Sequence, residues 1–267
     1  MFGGGDIKIQ YENNLNQSKC ESSDIFDYSS DRCLLRREIG REKYFKPKRI
    51  QVYQMYETED QLIRRKRKED DEYEKETMKL KELSTQMITN EEMNILENWS
   101  NLTIKEIVFD SDYCRWNSND TTFDKRLLGK DNLLFIIEDE NTNIFGGFID
   151  VTINNCNWEI DNFKEKALKF IGSKTFLFSL RSNNRLPSPM KFECFEGYEK
   201  SLVINTPSSA VLFSFGNGDI GVAKYAWKDF SFCHEEYFDF QGFENALTGN
   251  NQDDWFTVKR FQVYQMN

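Results

Sequence analysis

Three places in this 267-residue chain set residue types at spacings that chemistry uses. Gly216-Asn217-Gly218-Asp219-Ile220-Gly221 fits G-x-G-x-x-G and follows the strand-like run Ala210–Phe215, with Glu235, Glu236 and Asp239 at a distance suited to a ribose hydroxyl. Dinucleotide binding also needs a helix N-terminus straight after the glycines to hold the pyrophosphate. Gly221–Trp227 is patterned as a strand instead, so these glycines are expected to allow a bulge or a close approach between strands. Asp110-Ser111-Asp112, with Asn117, Asn119 and Asp120 downstream, suggests a calcium loop. Cys114 stands at its third ligand position, Arg115 where a glycine is needed, and no Glu at the twelfth, so a structural loop capping Trp116 is expected. Cys233-His234 joins a nucleophile to the only histidine, yet adjacent residues in a strand point to opposite faces, which argues against a direct dyad. The six cysteines, Cys20, Cys33, Cys114, Cys156, Cys194 and Cys233, lie at least 13 residues apart with no C-x-x-C, and read as reduced, mostly buried thiols. No catalytic residue, cofactor or metal ligand is therefore assigned. Asn16, Asn98, Asn101 and Asn119 begin N-x-S/T sequons, read as incidental in an Asn-rich chain.

The elements that must position these residues come from a chain with 45 acidic and 35 basic side chains, net charge -10, 39% apolar and 15% aromatic. The aromatic load argues against disorder, and the acidic balance against a nucleic-acid partner. No apolar run is long enough to span a membrane, and Met1–Asp6 has no signal-peptide pattern, so a cytoplasmic location is expected. Arg64-Arg65-Lys66-Arg67-Lys68 runs into Glu69-Asp70-Asp71-Glu72, and positions 62, 66, 69, 73, 76, 80, 83 and 87 follow a 4-3 seam broken by Lys66, Glu69 and Glu76. A charged helical linker is expected there, with a weak homo-oligomer through 62–88 as the other reading. Thr89 and Glu92 have capping-box spacing for a second helix carrying Met93, Leu96 and Trp99.

From Leu102 onward the apolar runs are short: Thr103–Phe109, Leu133–Ile137, Phe145–Ile153, Phe176–Leu180, Ser201–Ile204, Ala210–Phe215, Gly221–Trp227 and Lys259–Met266. One helix, Asp161–Phe170, is expected from Phe163, Ala167 and Phe170. The fold class is mainly β (α+β), a two-sheet antiparallel sandwich with a few flanking helices behind the charged linker. An internal repeat organises the chain. Phe2-Gly3-Gly4-Gly5-Asp6-Ile7 returns as Phe215–Ile220, Phe26-Asp27-Tyr28 as Phe238-Asp239-Phe240, and Lys48–Met55 as Lys259–Met266, at offsets of 213, 212 and 211. Residues 1–55 then form the last third of a domain, 56–99 the linker, and 100–267 a complete copy, with truncation of a longer two-domain protein as the favoured account of the first part.

Several segments of 101–267 together resemble the TLDc domain of eukaryotic oxidation-resistance proteins. They are Trp116 with Thr122-Phe123 and Leu127–Lys130; Leu133–Ile137 entering Phe145-Gly146-Gly147-Phe148; Gly172–Leu180; Phe215–Ile220; and Phe256–Tyr264. Residues 1–55 resemble the end of a second such domain. Phe109–Tyr113 departs from the family's aromatic-and-arginine start, and Lys259-Arg260 stand where an acidic residue is usual. That reversed charge would alter partner choice if the strand lay at a partner surface. The resemblance implies a β-sandwich, structural motif positions at Trp116, Gly146, Gly147, Gly216, Gly218 and Asp219, and a non-enzymatic interaction module. Its partners would be proteins, vacuolar proton-pumping ATPase subunits among them, and its role oxidative-stress protection or pump regulation. The alternatives are a cysteine-dependent peroxide scavenger or other enzyme, and a coiled-coil scaffold.

Overall fold

The structure, a computed structural model, describes residues 7–8, 18–20, 44–45, 58–118, 121–154, 167–183, 186, 189–206, 209–224, 231–243, 246–248 and 255–267. The chain divides into two compact units, Met1–Leu62 and Ile63–Asn267. In the first, β1 (Ile7–Lys8), β2 (Ser18–Cys20) and β3 (Tyr44–Phe45) form an antiparallel sheet in that order. Helix α1 (Glu59–Leu83) begins in the first unit and continues into the second, where α2 (Asn90–Ser100) and α3 (Phe123–Leu127) follow.

Two six-stranded antiparallel sheets build the second unit. One has the order β4-β15-β5-β6-β8-β9, from β4 (Ile104–Asp110), β5 (Leu133–Asp139), β6 (Ile144–Ile149), β8 (Phe176–Arg181), β9 (Met190–Glu193) and β15 (Val258–Met266). The other has the order β14-β13-β12-β11-β10-β7, from β7 (Leu168–Ile171), β10 (Ser201–Ile204), β11 (Val211–Phe215), β12 (Ile220–Ala223), β13 (Ser231–Phe232) and β14 (Trp255–Phe256). The unbroken run of β5 follows from its two buried faces. Leu133, Phe135 and Ile137 enter the core between the sheets, while Leu134 and Ile136 join a second cluster with Leu96 of α2. Each buried Phe or Leu contributes roughly 1.5–3 kcal/mol, so both faces of β5 add to the fold's stability. Phe123 and Phe213 stack across the core at 5.4 Å, and Phe261 lies 5.7 Å from Phe213.

Helix α2 starts as its sequence dictates. Thr89 Oγ1 accepts from the Glu92 N–H and a Glu92 carboxylate oxygen accepts from the Thr89 N–H, at 3.2 and 2.8 Å. It ends at Asn101, whose φ of 58° suits the left-handed cap that Asn tolerates. The helix expected over Asp161–Phe170 is corrected in its described part: Leu168–Ile171 is strand β7, paired with β10 from Ser201↔Ile171 to Ile204↔Leu168. Pairing along the sheet overrides the helical spacing, and Phe170 turns inward while Lys169 and Ile171 face out. Residues 161–166 lie outside the described residues, as do the repeated segments at 2–6, 26–28 and 48–55 and residues 225–227 of the expected strand.

The first unit's three strands carry the registers of β12, β13 and β14. Lys8↔Lys19 corresponds to Gly221↔Phe232, each residue 213 positions earlier. Lys19↔Tyr44 and Ser18↔Phe45 correspond to Phe232↔Trp255 and Ser231↔Phe256.

Candidate functional site

The glycine-rich segment is a turn between β11 and β12, with Gly216 and Gly218 at φ 60° and 111°. Positive φ at both positions is what lets the chain reverse so tightly, and strand β12, not a helix, comes next. A Cβ on Gly216 would overlap the Asp219 carboxylate. Asp219 is fully buried. Its Oδ1 accepts the N–H groups of Glu236, Tyr237 and Phe238 at 3.0, 2.9 and 2.8 Å, and its Oδ2 accepts that of Asn217 at 3.3 Å. Burial pushes its carboxyl above the usual range, against those four donors, which favour the ionised form.

Glu235, Glu236 and Asp239, the candidate ribose acids, sit on the segment that Asp219 holds. That segment runs beside the end of β9: Phe195 donates to the Tyr237 carbonyl at 2.8 Å, Asp239 to the Glu193 carbonyl at 2.9 Å, and Cys194 bridges Phe238. Three aromatic rings are thereby gathered at the surface. Tyr198 lies 4.9 Å from Tyr237 and 6.2 Å from Phe195, with Tyr198 53% and Phe195 37% exposed. The motif search missed Phe195 and Tyr198. Their signal was two aromatics inside the Glu-rich stretch Glu193–Glu199, where a turn at Gly197 leaves large rings without a core to enter.

The remaining motif residues serve the core. A Cβ on Gly146 would overlap the Phe135 carbonyl oxygen, and one on Gly147 would meet the Leu177 side chain and the Phe215 ring at 2.8 Å. Gly147 thus gives room to the residue that precedes the glycine turn. Trp116 meets Phe261 edge-on at 5.2 Å, among Phe109 and Phe123 rather than near Asp219. The structure brings Gly147, Gly216, Gly218 and Asp219 to one region and leaves Trp116 apart from it.

Asp110, the first candidate calcium ligand, is fully buried and already engaged. Its carboxylate accepts from Arg260 (2.6 and 3.1 Å), from Gln262 at 2.7 Å, from the Asp112 N–H at 3.1 Å and from the Ser84 hydroxyl. No cluster of His, Cys, Asp and Glu able to hold a metal occurs among the described residues, and Asn119 and Asp120 lie outside them. Burial alone would raise Asp110, but Arg260, Ser84 and Gln262 overcome it and hold the carboxyl below its usual range. A depressed folded-state pKa adds stability that is present above the unfolded value, about pH 3.9, and is lost as pH falls through the folded one. Asp112, Asp139 and Asp219 are shifted upward and act with the opposite sign. Urea midpoints of Asp110→Asn, subtracted from those of the parent, should therefore shrink as pH falls from about 6 to about 3. A difference that stays constant would show that Asp110 is not the group responsible.

Lys259 and Arg260 have their charges met within the chain, Lys259 by Glu138 at 2.7 Å and Arg260 by Asp110 and by Asp112 at 3.1 Å. On α1, Glu76 accepts from Arg115 Nε at 2.7 Å, Thr122 Oγ1 at 2.8 Å and Arg126 at 3.3 Å, and the Arg126 guanidinium lies 4.4 Å over the Tyr73 ring. Tyr73, Glu76 and Leu80, three positions of the expected seam, thus face or enter the chain's own β-domain.

Cys114, Cys194 and Cys233 are free thiols. Burial pushes Cys114 up to about 11 and Cys194 upward as well, away from the thiolate. Cys233 is buried beside Thr248, while His234 stacks on Phe232 at 5.9 Å. The side chains of Cys20, Cys33 and Cys156 lie outside the described residues. No helix among the described residues is long and apolar enough to cross a membrane. No protein-family model matches the chain, and no curated protein matches it.

Proposed function

We propose that the chain is a non-enzymatic protein-interaction module of the TLDc type, acting through protein contacts in oxidative-stress protection or in regulation of the vacuolar proton-pumping ATPase. The observation that carries the reading is the employment of the F-G-x-G-x-D-I segment. Asp219 gives its whole carboxylate to backbone donors that fix a neighbouring surface segment, which is a scaffold's use of a buried acid rather than a catalyst's. Of the rings beside that segment, Phe195 and Tyr198 are large and exposed, as interaction surfaces are, while Tyr237 is half-buried. The cysteine-dependent alternative lacks a lowered thiol pKa at Cys114 and Cys194, and the scaffold alternative lacks a free seam because α1 turns Tyr73, Glu76 and Leu80 inward.

Gel filtration of the purified chain with the isolated soluble sector of a vacuolar proton-pumping ATPase tests the partner. Co-elution is expected at micromolar concentration, and separate elution overturns that partner. Peroxide consumption should be the same for the chain and for a variant with all six cysteines replaced by serine. A loss in the variant would reinstate thiol chemistry.

A further inference from the structure

We propose that the surface made by Phe195, Tyr198 and Tyr237 docks an arginine- or lysine-rich segment of a partner protein. The inference rests on the interaction-module reading and supplies what that reading lacks, a face and a partner chemistry. Three features converge on it.

The first is exposure without freedom. Tyr198 and Phe195 rank among the large side chains the domain leaves open to solvent, yet their backbone is pinned. Tyr198 donates to the Phe195 carbonyl at 3.2 Å across a turn that Gly197 makes at φ 86°, and Phe195 donates to Tyr237. Tyr237 is held in turn by Asp219. A surface ordered during folding loses little further entropy on binding.

Charge is the second. The two segments that carry the rings also carry Glu193, Glu196, Glu199, Glu235, Glu236 and Asp239. Lys191 meets Glu193, and Lys169 meets Glu199. Lys200 donates to the Ser173 carbonyl at 3.3 Å, and His234 stands 3.8 Å from Glu236. Glu235 accepts the Phe240 N–H at 2.6 Å and Asp239 the Gln241 N–H at 2.7 Å, neutral donors that leave the charge in place. With exposed Glu196 and Glu236, these two segments stay net negative. Nucleic acid, anionic lipid or an acidic peptide would meet repulsion there.

The third is the ring chemistry. The face of a tyrosine attracts a guanidinium or ammonium, and the alkyl stem behind that head covers apolar ring surface. A cation with an apolar stem matches both the rings and that charge, whereas a purely apolar segment would desolvate the carboxylates without compensation.

Fluorescence anisotropy on the full chain tests this, using a short labelled peptide of alternating arginine and serine and a counterpart with glutamate for arginine. The arginine peptide should bind, weaken as salt rises, and outcompete the glutamate peptide. Tyr198→Ala should weaken binding about tenfold and Glu196→Lys about fivefold. Met78→Ala, at an exposed position on α1, should leave it unchanged. Glu196 is exposed, so Glu196→Lys keeps the test intact if Tyr198→Ala melts early. Equal binding of both peptides, no binding at about millimolar peptide, or equal losses in all three variants overturns the proposal. The proton-pump assay and the peptide assay fail separately: peptide binding without co-elution removes the pump alone, and co-elution without peptide binding removes this face alone.

Discussion

Asp219→Ala is expected to cost the second unit about 3–4 kcal/mol and to remove peptide binding at the same time. The substitution strands the N–H groups of Glu236, Tyr237 and Phe238, and each buried donor left without a partner costs about 1–3 kcal/mol. The first two are partly reached by solvent, so their share falls toward the low end. Asp219→Asn separates the contributions. An amide oxygen in place of Oδ1 can still accept all three, while the amide nitrogen faces the Asn217 N–H where Oδ2 accepted it. Its cost should be about 1–2 kcal/mol with the Tyr237 segment still in place. Urea denaturation gives the energies, and amide exchange at 236–238 gives the cause. Equal energies for the two variants, or unchanged exchange in Asp219→Ala, would show that the carboxylate does not organise the segment.

Glu76→Ala should cost about 3 kcal/mol by removing the central anchor of the latter part of α1 on the β-domain. Arg126, whose side chain is only 4% exposed, would keep Thr77, the Tyr73 carbonyl and the Tyr73 ring but lose its carboxylate. Removing one partner of a buried ion pair costs about 3–5 kcal/mol, and Arg115, nearer to solvent, moderates that here. Glu72→Ala breaks only the more exposed contacts to Arg115 and Lys68 and should cost under about 1 kcal/mol. Paired melts of the two variants decide the matter. Similar losses at Glu72 and Glu76 would mean that burial at Glu76 is unimportant.

Both residues show how far the sequence could be read. Strands such as β5, β8 and β10 were legible because apolar runs of four to six residues between turns suit a sheet buried on one or both faces. β13 and β14 were not, since two residues carry no periodicity and exist only through pairing with β12 and with each other. β7 was misread because Ala167 and Phe170 also fit a helix, and only its partner β10 distinguishes the two. Glu76 looked like a flaw in a seam, for nothing within α1 says that Arg115, Thr122 and Arg126 will surround it 39 to 50 residues later. The same limit applies at the surface. Gly216, Gly218 and Asp219 were legible as a motif, but their effect falls on Tyr237, and Tyr198 joins it only in three dimensions.

The position of β15 governs when the domain can form. It lies between β4 and β5 in the sheet, and Val263 pairs with Phe135 and Phe109, which precede it by 128 and 154 residues. The β5-β6-β8-β9 part needs closures far shorter than those of β15, so it can assemble during synthesis. Until β15 arrives, however, β4 has no neighbour and β5 presents an open edge lined by Leu133–Ile137. Every nascent chain therefore passes through an interval of exposed apolar edge whose length is set by translation and loop closure. Chains halted before Val258 would remain in it, as substrates for chaperones and proteases rather than as weakened versions of the folded protein.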